Sequence, residues 1–120
     1  MIVTSSHTNA CFNAWMNCEN ILKSLHEVKN TFSKKVTKIV DECALICMGT
    51  FHALKTSSAN TQKFALLCMG ICEECAEICE ELNGDQFQKC AKVCRECSET
   101  MSILAFTTTD YTDKKDFSDN

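Results

Sequence analysis

Cys68, Cys72, Cys75 and Cys79 follow one another at intervals of 4, 3 and 4 residues, the spacing that returns a side chain to the same face of an α-helix. The pattern continues on both sides and recurs. Phe64, Cys68, Cys72, Cys75, Cys79 and Leu82 make one seam, and Phe87, Cys90, Cys94, Cys97, Met101 and Leu104 a second. Val36, Val40, Cys43, Cys47, Phe51 and Leu54 make a third, and His7, Cys11, Cys18, Leu22 and Leu25 a fourth. Each reads as a coiled-coil-type core seam with Cys where Leu normally sits. The chain has no Pro and three Gly, which argues for long uninterrupted helices and against a loop-rich disulfide knot. Apolar residues are 45% of the chain and eleven of them are Cys, so a large part of any core is sulfur.

A length of 120 residues fits one domain. Asn83-Gly84-Asp85 is the clearest break: Gly84 can turn left-handed after one helix, and Asp85 can cap the next with Gln88 three residues on. Lys55 to Asn60 is a second polar break and Lys29-Asn30-Thr31 a third. Helices are expected near 6–28, 33–55, 60–82 and 86–106, in one bundle over 1–106. The polar, charged tail 107–120 is expected to be disordered. Short connections between helices of similar length predict an all-α, antiparallel up-down-up-down four-helix bundle with a Cys-lined core. Glu73, Glu74, Glu77, Glu80 and Glu81 fall opposite the third-helix seam, and Lys89, Lys92 and Arg95 opposite that of the fourth. They read as a solvated surface with some pairing across the hairpin.

Aligning antiparallel helices by their rise per residue sets the depth of each seam position. Cys11, Cys47, Cys68 and Cys97 come level near one end, followed by Cys18, Cys43, Cys72 and Cys94. Cys75 and Cys90 lie deeper and Cys79 deeper still, above an apolar plug of Leu22, Leu25, Val36, Val40, Leu82 and Phe87. All eleven thiols converge on one interior column. At the near end, His7, Phe51, Phe64 and Met101, with Met48 and His52 close by, line a mouth. His7, Met48, His52 and Met101 are the candidate entrance ligands there.

The amino terminus has no basic region, apolar stretch or cleavage site of a secretory signal. The expectation is a reducing cytoplasm, where Cys clusters bind metal or act in redox chemistry more often than they form disulfides. A net charge of −4 with a single Arg gives no reason to expect a nucleic-acid partner. No apolar run is long enough to span a bilayer. No seam sets a carboxylate beside a His, so the chain reads as no enzyme.

Several sulfur chemistries compete for the thiols. Cys72-x2-Cys75 and Cys94-x2-Cys97 have the spacing of a four-Cys zinc site. However, both pairs lie inside continuous helices without a knuckle turn, and four thiolates on a divalent ion leave two negative charges in the core. The Cys runs and Pro of iron–sulfur ferredoxins are absent, as is the strand pattern beside a thioredoxin-like CxxC. Cu(I) fits better: it is soft and takes thiolates. Each ion restores the charge lost with a thiol proton, so many can be buried without charged partners. The expected ligands are Cys11, Cys18, Cys43, Cys47, Cys68, Cys72, Cys75, Cys79, Cys90, Cys94 and Cys97, with a capacity on the order of ten ions per chain from this ligand preference. The alternative is a metal- or redox-responsive interaction protein built on a zinc or few-copper site at Cys72, Cys75, Cys94 and Cys97.

Cys68-x3-Cys72-x2-Cys75-x3-Cys79, Cys90-x3-Cys94-x2-Cys97 and Cys43-x3-Cys47 resemble the bacterial four-helix-bundle copper storage proteins, over about residues 6–106. The resemblance implies cytosolic storage of many Cu(I) ions, a homotetramer, a mouth with Met or His and an apolar plug at the other end. It also implies copper donor or acceptor proteins as possible partners. The first helix departs from the pattern: it carries only Cys11 and Cys18, with Ala14 and Trp15 between them, and Trp15 is expected to take space that metal fills elsewhere in the family.

Overall fold

The computed structural model describes residues 3–25 and 31–106. Four helices, α1 (Ser5–Leu25), α2 (Thr31–Lys55), α3 (Thr61–Glu80) and α4 (Asp85–Phe106), account for nearly all of them, and the described residues contain no strand. Each helix packs mainly on two neighbours, in the cyclic order α1–α2–α3–α4, which is the four-helix bundle. The stretch 26–28 expected at the end of the first helix, the break at Lys29-Asn30 and the tail 107–120 lie outside the described residues.

The turns follow from local hydrogen bonding. Ser57 leaves α2 with a positive φ of 54°, and the Ser58 amide donates back to the Ala53 carbonyl at 2.9 Å, closing the last turn of the helix. Between α3 and α4, Gly84 takes φ +128°, a conformation strained for a side-chain-bearing residue. Its carbonyl accepts the amides of Phe87 and Gln88 at the start of α4. The Gln88 side chain does not reach back to Asp85 as a capping box would. Its amide donates instead to Leu82 O at 2.8 Å and Glu80 O at 3.3 Å, fastening the start of α4 to the end of α3.

The cysteine positions of the seams are all core, whereas the seam aromatics Phe51, Phe64 and Phe87 are half-buried and Ile21 replaces Leu22 on α1. Cys11, Ala14, Cys18, Ile21 and Leu25 are the buried face of α1. The plug therefore contains Ile21, 1% exposed, while Leu22 and Phe87 pack half-buried at its edge. Spacings of three and four from Cys18 are both allowed by a 3.6-residue turn, and packing selects the former. Near the mouth, α2 and α3 approach closely at Gly49, where a Cβ would meet the Phe64 ring at 3.0 Å. Thr50, fully buried, spends its hydroxyl on Ile46 O at 2.7 Å and Phe64 O at 3.3 Å.

On the outer face Arg95 pairs with Glu73 and, at 2.8 Å, with Glu80 across the α3–α4 hairpin. Hydrogen bonding to that guanidinium holds the Glu80 carboxyl below its usual range. These side chains are more than a third exposed, so the pairing adds little to stability.

Candidate metal centre

All eleven cysteines are free, and each is 0% exposed. Ten of them, all but Cys11, gather into three groups within each of which the sulfurs lie within 4.8 Å of one another: Cys47, Cys68, Cys72 and Cys97; Cys18, Cys43, Cys75 and Cys94; and Cys75, Cys79 and Cys90. In the first group Cys47 stands 3.6 Å from Cys72 and 3.7 Å from Cys68, and Cys68 stands 3.9 Å from Cys72 and 3.7 Å from Cys97. Cys43 links the first two groups, at 3.9 Å from Cys47 and 3.8 Å from Cys72. Cys90, 4.0 Å from Cys94, links the second to the third. Cys11 caps the column, with its Sγ 3.6 Å from the thioether of Met101.

Two cysteines sit one layer nearer the mouth than a level alignment puts them. Cys72 groups with Cys47 and Cys97, and Cys75 with Cys43 and Cys94. The cause is the direction of the Cα–Cβ bond, which tilts toward the N-terminus of its own helix. α3 starts at the mouth, so its thiols lean outward, whereas those of α2 and α4 lean toward the plug. Thiols from opposed helices therefore meet on the diagonal, and Cys47–Cys72 at 3.6 Å is closer than the level pair Cys43–Cys72 at 3.8 Å. The same geometry splits the CxxC pairs. Cys72 and Cys97 belong to one group and Cys75 and Cys94 to the next, so these four residues do not form a single four-Cys site.

The mouth residues have separate fates. Met101 is fully buried against Cys11. His7 is half-buried at the third position of α1, where its Nδ1 accepts the Thr4 amide at 2.9 Å and so closes the helix start in the manner of a capping box. His52 is exposed on the outer face, 5.6 Å from the Phe51 ring and 6.3 Å from that of Trp15. Met48 is half-buried on α2. Leu54 and Leu104, the last residues of their seams at this end, are 4% and 2% exposed and belong to the buried core, so apolar side chains are packed at the mouth end of the bundle. Trp15 likewise stays out of the column. It packs against Phe12 and Phe51 and donates to Glu19 at 3.3 Å, and the buried residue between Cys11 and Cys18 is Ala14.

Thiols surrounded by thiols and shielded from water are pushed in both directions, according to which neighbour donates its S–H and which accepts. Cys11 is raised far above its ordinary range by its interactions with Cys68 and Cys97 and then by burial. Cys18 is raised by Cys43, Cys75, Cys90 and Cys94 and then by burial, and Cys72 by Cys43, Cys47, Cys68 and Cys94 in the same way. Cys68 moves in the opposite direction, because S–H groups of Cys11, Cys47, Cys72 and Cys97 surround it and favour its thiolate. Cys43 is lowered in the same way by Cys18, Cys47 and Cys72, Cys94 by Cys18, Cys72 and Cys75, and Cys97 by Cys11, Cys47 and Cys72, so sulfurs that favour the thiolate occur in both four-membered groups. Among the described residues the buried polar side chains are Thr50, Thr61 and Ser98, and no charged group is buried. A soft, singly charged cation suits this donor set, since each thiolate it meets cancels its charge.

A four-helix bundle filled by a continuous column of free, buried thiols defines a thiolate metal-binding protein. The profile of the copper storage protein (Csp) family matches residues 3–105, and the chain belongs to that family. Among solved structures it is similar to the Cu(I)-bound copper storage protein BsCsp3, with 27% sequence identity and a TM-score of 0.79 over 84% of this chain and 96% of that one. No curated protein matches the chain. No described helix is long and apolar enough to cross a membrane.

Proposed function

We propose that this chain is a cytoplasmic, non-enzymatic Cu(I) store whose ligands are its eleven cysteines, with Met101 as the outermost sulfur. The observation that carries this reading is the unbroken thiol column in a core that buries no charged residue among those described. Cu(I) taken up at roughly one ion per thiolate keeps such a core near neutral, whereas a few divalent ions would not. Family membership and the Cu(I) named for BsCsp3 point the same way. The proposal includes a homotetramer, which the exposed Leu45, Leu66 and Leu67 on α2 and α3 would help to bury. It also includes copper donor or acceptor proteins as partners.

The deciding experiment is an anaerobic titration of the fully reduced chain with Cu(I) against a chromophoric competitor, read together with native mass spectrometry. About ten ions per chain is the expected end point, from the thiol count and ligand preference, with helical content unchanged. Saturation at one or two ions would refute storage.

The apolar packing at the mouth end adds a kinetic expectation. Ions reaching Cys11 from the mouth must pass Leu54 and Leu104, so Leu104→Ala should speed uptake several-fold at unchanged capacity in stopped-flow mixing. The substitution should also cost the metal-free fold about 2–5 kcal/mol. Uptake at the wild-type rate would place the route elsewhere.

A further inference from the structure

We infer that Cys47, Cys68, Cys72 and Cys97 also form a discrete tetrahedral site for one divalent d10 cation, zinc or cadmium, distinct from the many-ion loading of the column. This inference stands on the geometry of the outer group and does not depend on copper storage. Four sulfurs bound tetrahedrally at a Zn–S distance of about 2.3 Å stand about 3.8 Å from one another. Four of the six separations in the group are 3.6, 3.7, 3.7 and 3.9 Å, and the remaining two are within 4.8 Å. The donors come from α2, α3 and α4, so one ion would tie three helices together at the outer end of the column.

The objection from charge, two negative charges in an apolar core, is met by neighbouring thiols. Cys43 lies 3.9 Å from Cys47 and 3.8 Å from Cys72, and Cys11 interacts with Cys68 and Cys97. Each of the four sulfurs therefore has beside it a cysteine sulfur that is not a ligand and is within hydrogen-bonding reach of it. The two groups cannot both be filled with this support in place, because Cys43 is one of the four members of the inner group. Ligating an inner ion takes up the Cys43 sulfur that supports the outer one. The result is one tight divalent site per chain and not two. Binding is a simple exchange in which the cation replaces the four thiol protons, which go to solvent, with no redox change. Cu(I), which soft thiolates prefer, displaces the divalent ion as the column fills.

The test is titration of the reduced, metal-free full chain with Cd(II), followed by its sulfur-to-metal charge-transfer absorbance and by equilibrium competition with a chelator. The expected result is a break at one equivalent. Cys97→Ser should abolish that break, and Cys79→Ser, outside the group, should leave it in place. Cys43→Ala should keep the stoichiometry but weaken binding about tenfold. Circular dichroism verifies that each variant is folded, and the wild-type end point decides the matter even if Cys97→Ser does not fold. Absence of a break at one equivalent, or equal loss in Cys79→Ser and Cys97→Ser, would overturn the site. A parallel Cu(I) titration separates the two readings. Near ten Cu(I) with no cadmium site defeats this inference alone, and a cadmium site with only one or two Cu(I) defeats storage alone.

Discussion

Filling the column with Cu(I) should raise the thermal midpoint by tens of degrees. A ligand that binds only the folded chain adds about 4 kcal/mol per site at a thousandfold excess over its dissociation constant, and the column offers about ten such sites. The native state of a domain this size is worth only about 5–15 kcal/mol. The unfolded chain also has thiols for copper, and that discounts the gain heavily. If only a tenth of it survives, the net is still about 4 kcal/mol, and at about 4–8 °C per kcal/mol for a small domain the midpoint moves by about 15–30 °C. The metal-free protein should be modestly stable by comparison, since Cys packs as a small hydrophobe and fills eleven positions that Leu would otherwise hold. Melts of the metal-free and loaded chain under anaerobic conditions, followed at the helical band, measure the difference. Stripping the copper with a strong chelator should return the lower value. A midpoint unmoved by loading would mean that copper sits outside the packed core.

The helical seams made the architecture legible, because a 3-4 alternation of Cys in a chain free of Pro leaves little other than helices packed face to face. Thiol depth was legible to within one layer. Counting residues along parallel axes places Cα atoms, whereas Cys72 and Cys75 take their partners from the direction in which α3 tilts its Cβ atoms. The exchange of Leu22 for Ile21 has a similar origin: two adjacent apolar residues satisfy the same periodicity, and only packing separates them. The mouth was harder to read. His7 and His52 are ligand types at the right height, yet one engages the amide of Thr4 and the other lies among aromatic rings. Neither contact leaves a periodic trace. Leu54 and Leu104 were visible as the last residues of two seams, but their burial at the bundle end depends on how the helices converge. Ala14, 3 residues after Cys11 and 4 before Cys18, has seam spacing and is buried, whereas the bulkier Trp15 beside it falls off the seam.

The plug and the thiol column should prove separable, and Val40→Asp is the substitution that separates them. Val40 is 0% exposed and packed in the plug with Ile21, Val36, Leu25 and Leu82. No buried cation lies among the described residues to pair with a new carboxylate. Placing an unpaired charge there, or shifting its pKa until it is neutral, costs several kcal/mol, a large part of a total of about 5–15 kcal/mol. The metal-free variant is therefore expected to lose its cooperative melt and fixed tertiary packing at 25 °C. Cys79→Ala, next along the column, removes one sulfur and no apolar support, and it should keep both. Copper should reverse the defect. The thiols of the Val40→Asp chain are intact, and ions that prefer the folded arrangement pull the equilibrium back by mass action, so the loaded variant should regain helical content and bind nearly as many ions as the wild type. A metal-free Val40→Asp chain that melts like the wild type would show that the thiols themselves hold the empty bundle together. A variant that copper cannot refold would show that the column needs the plug in order to assemble.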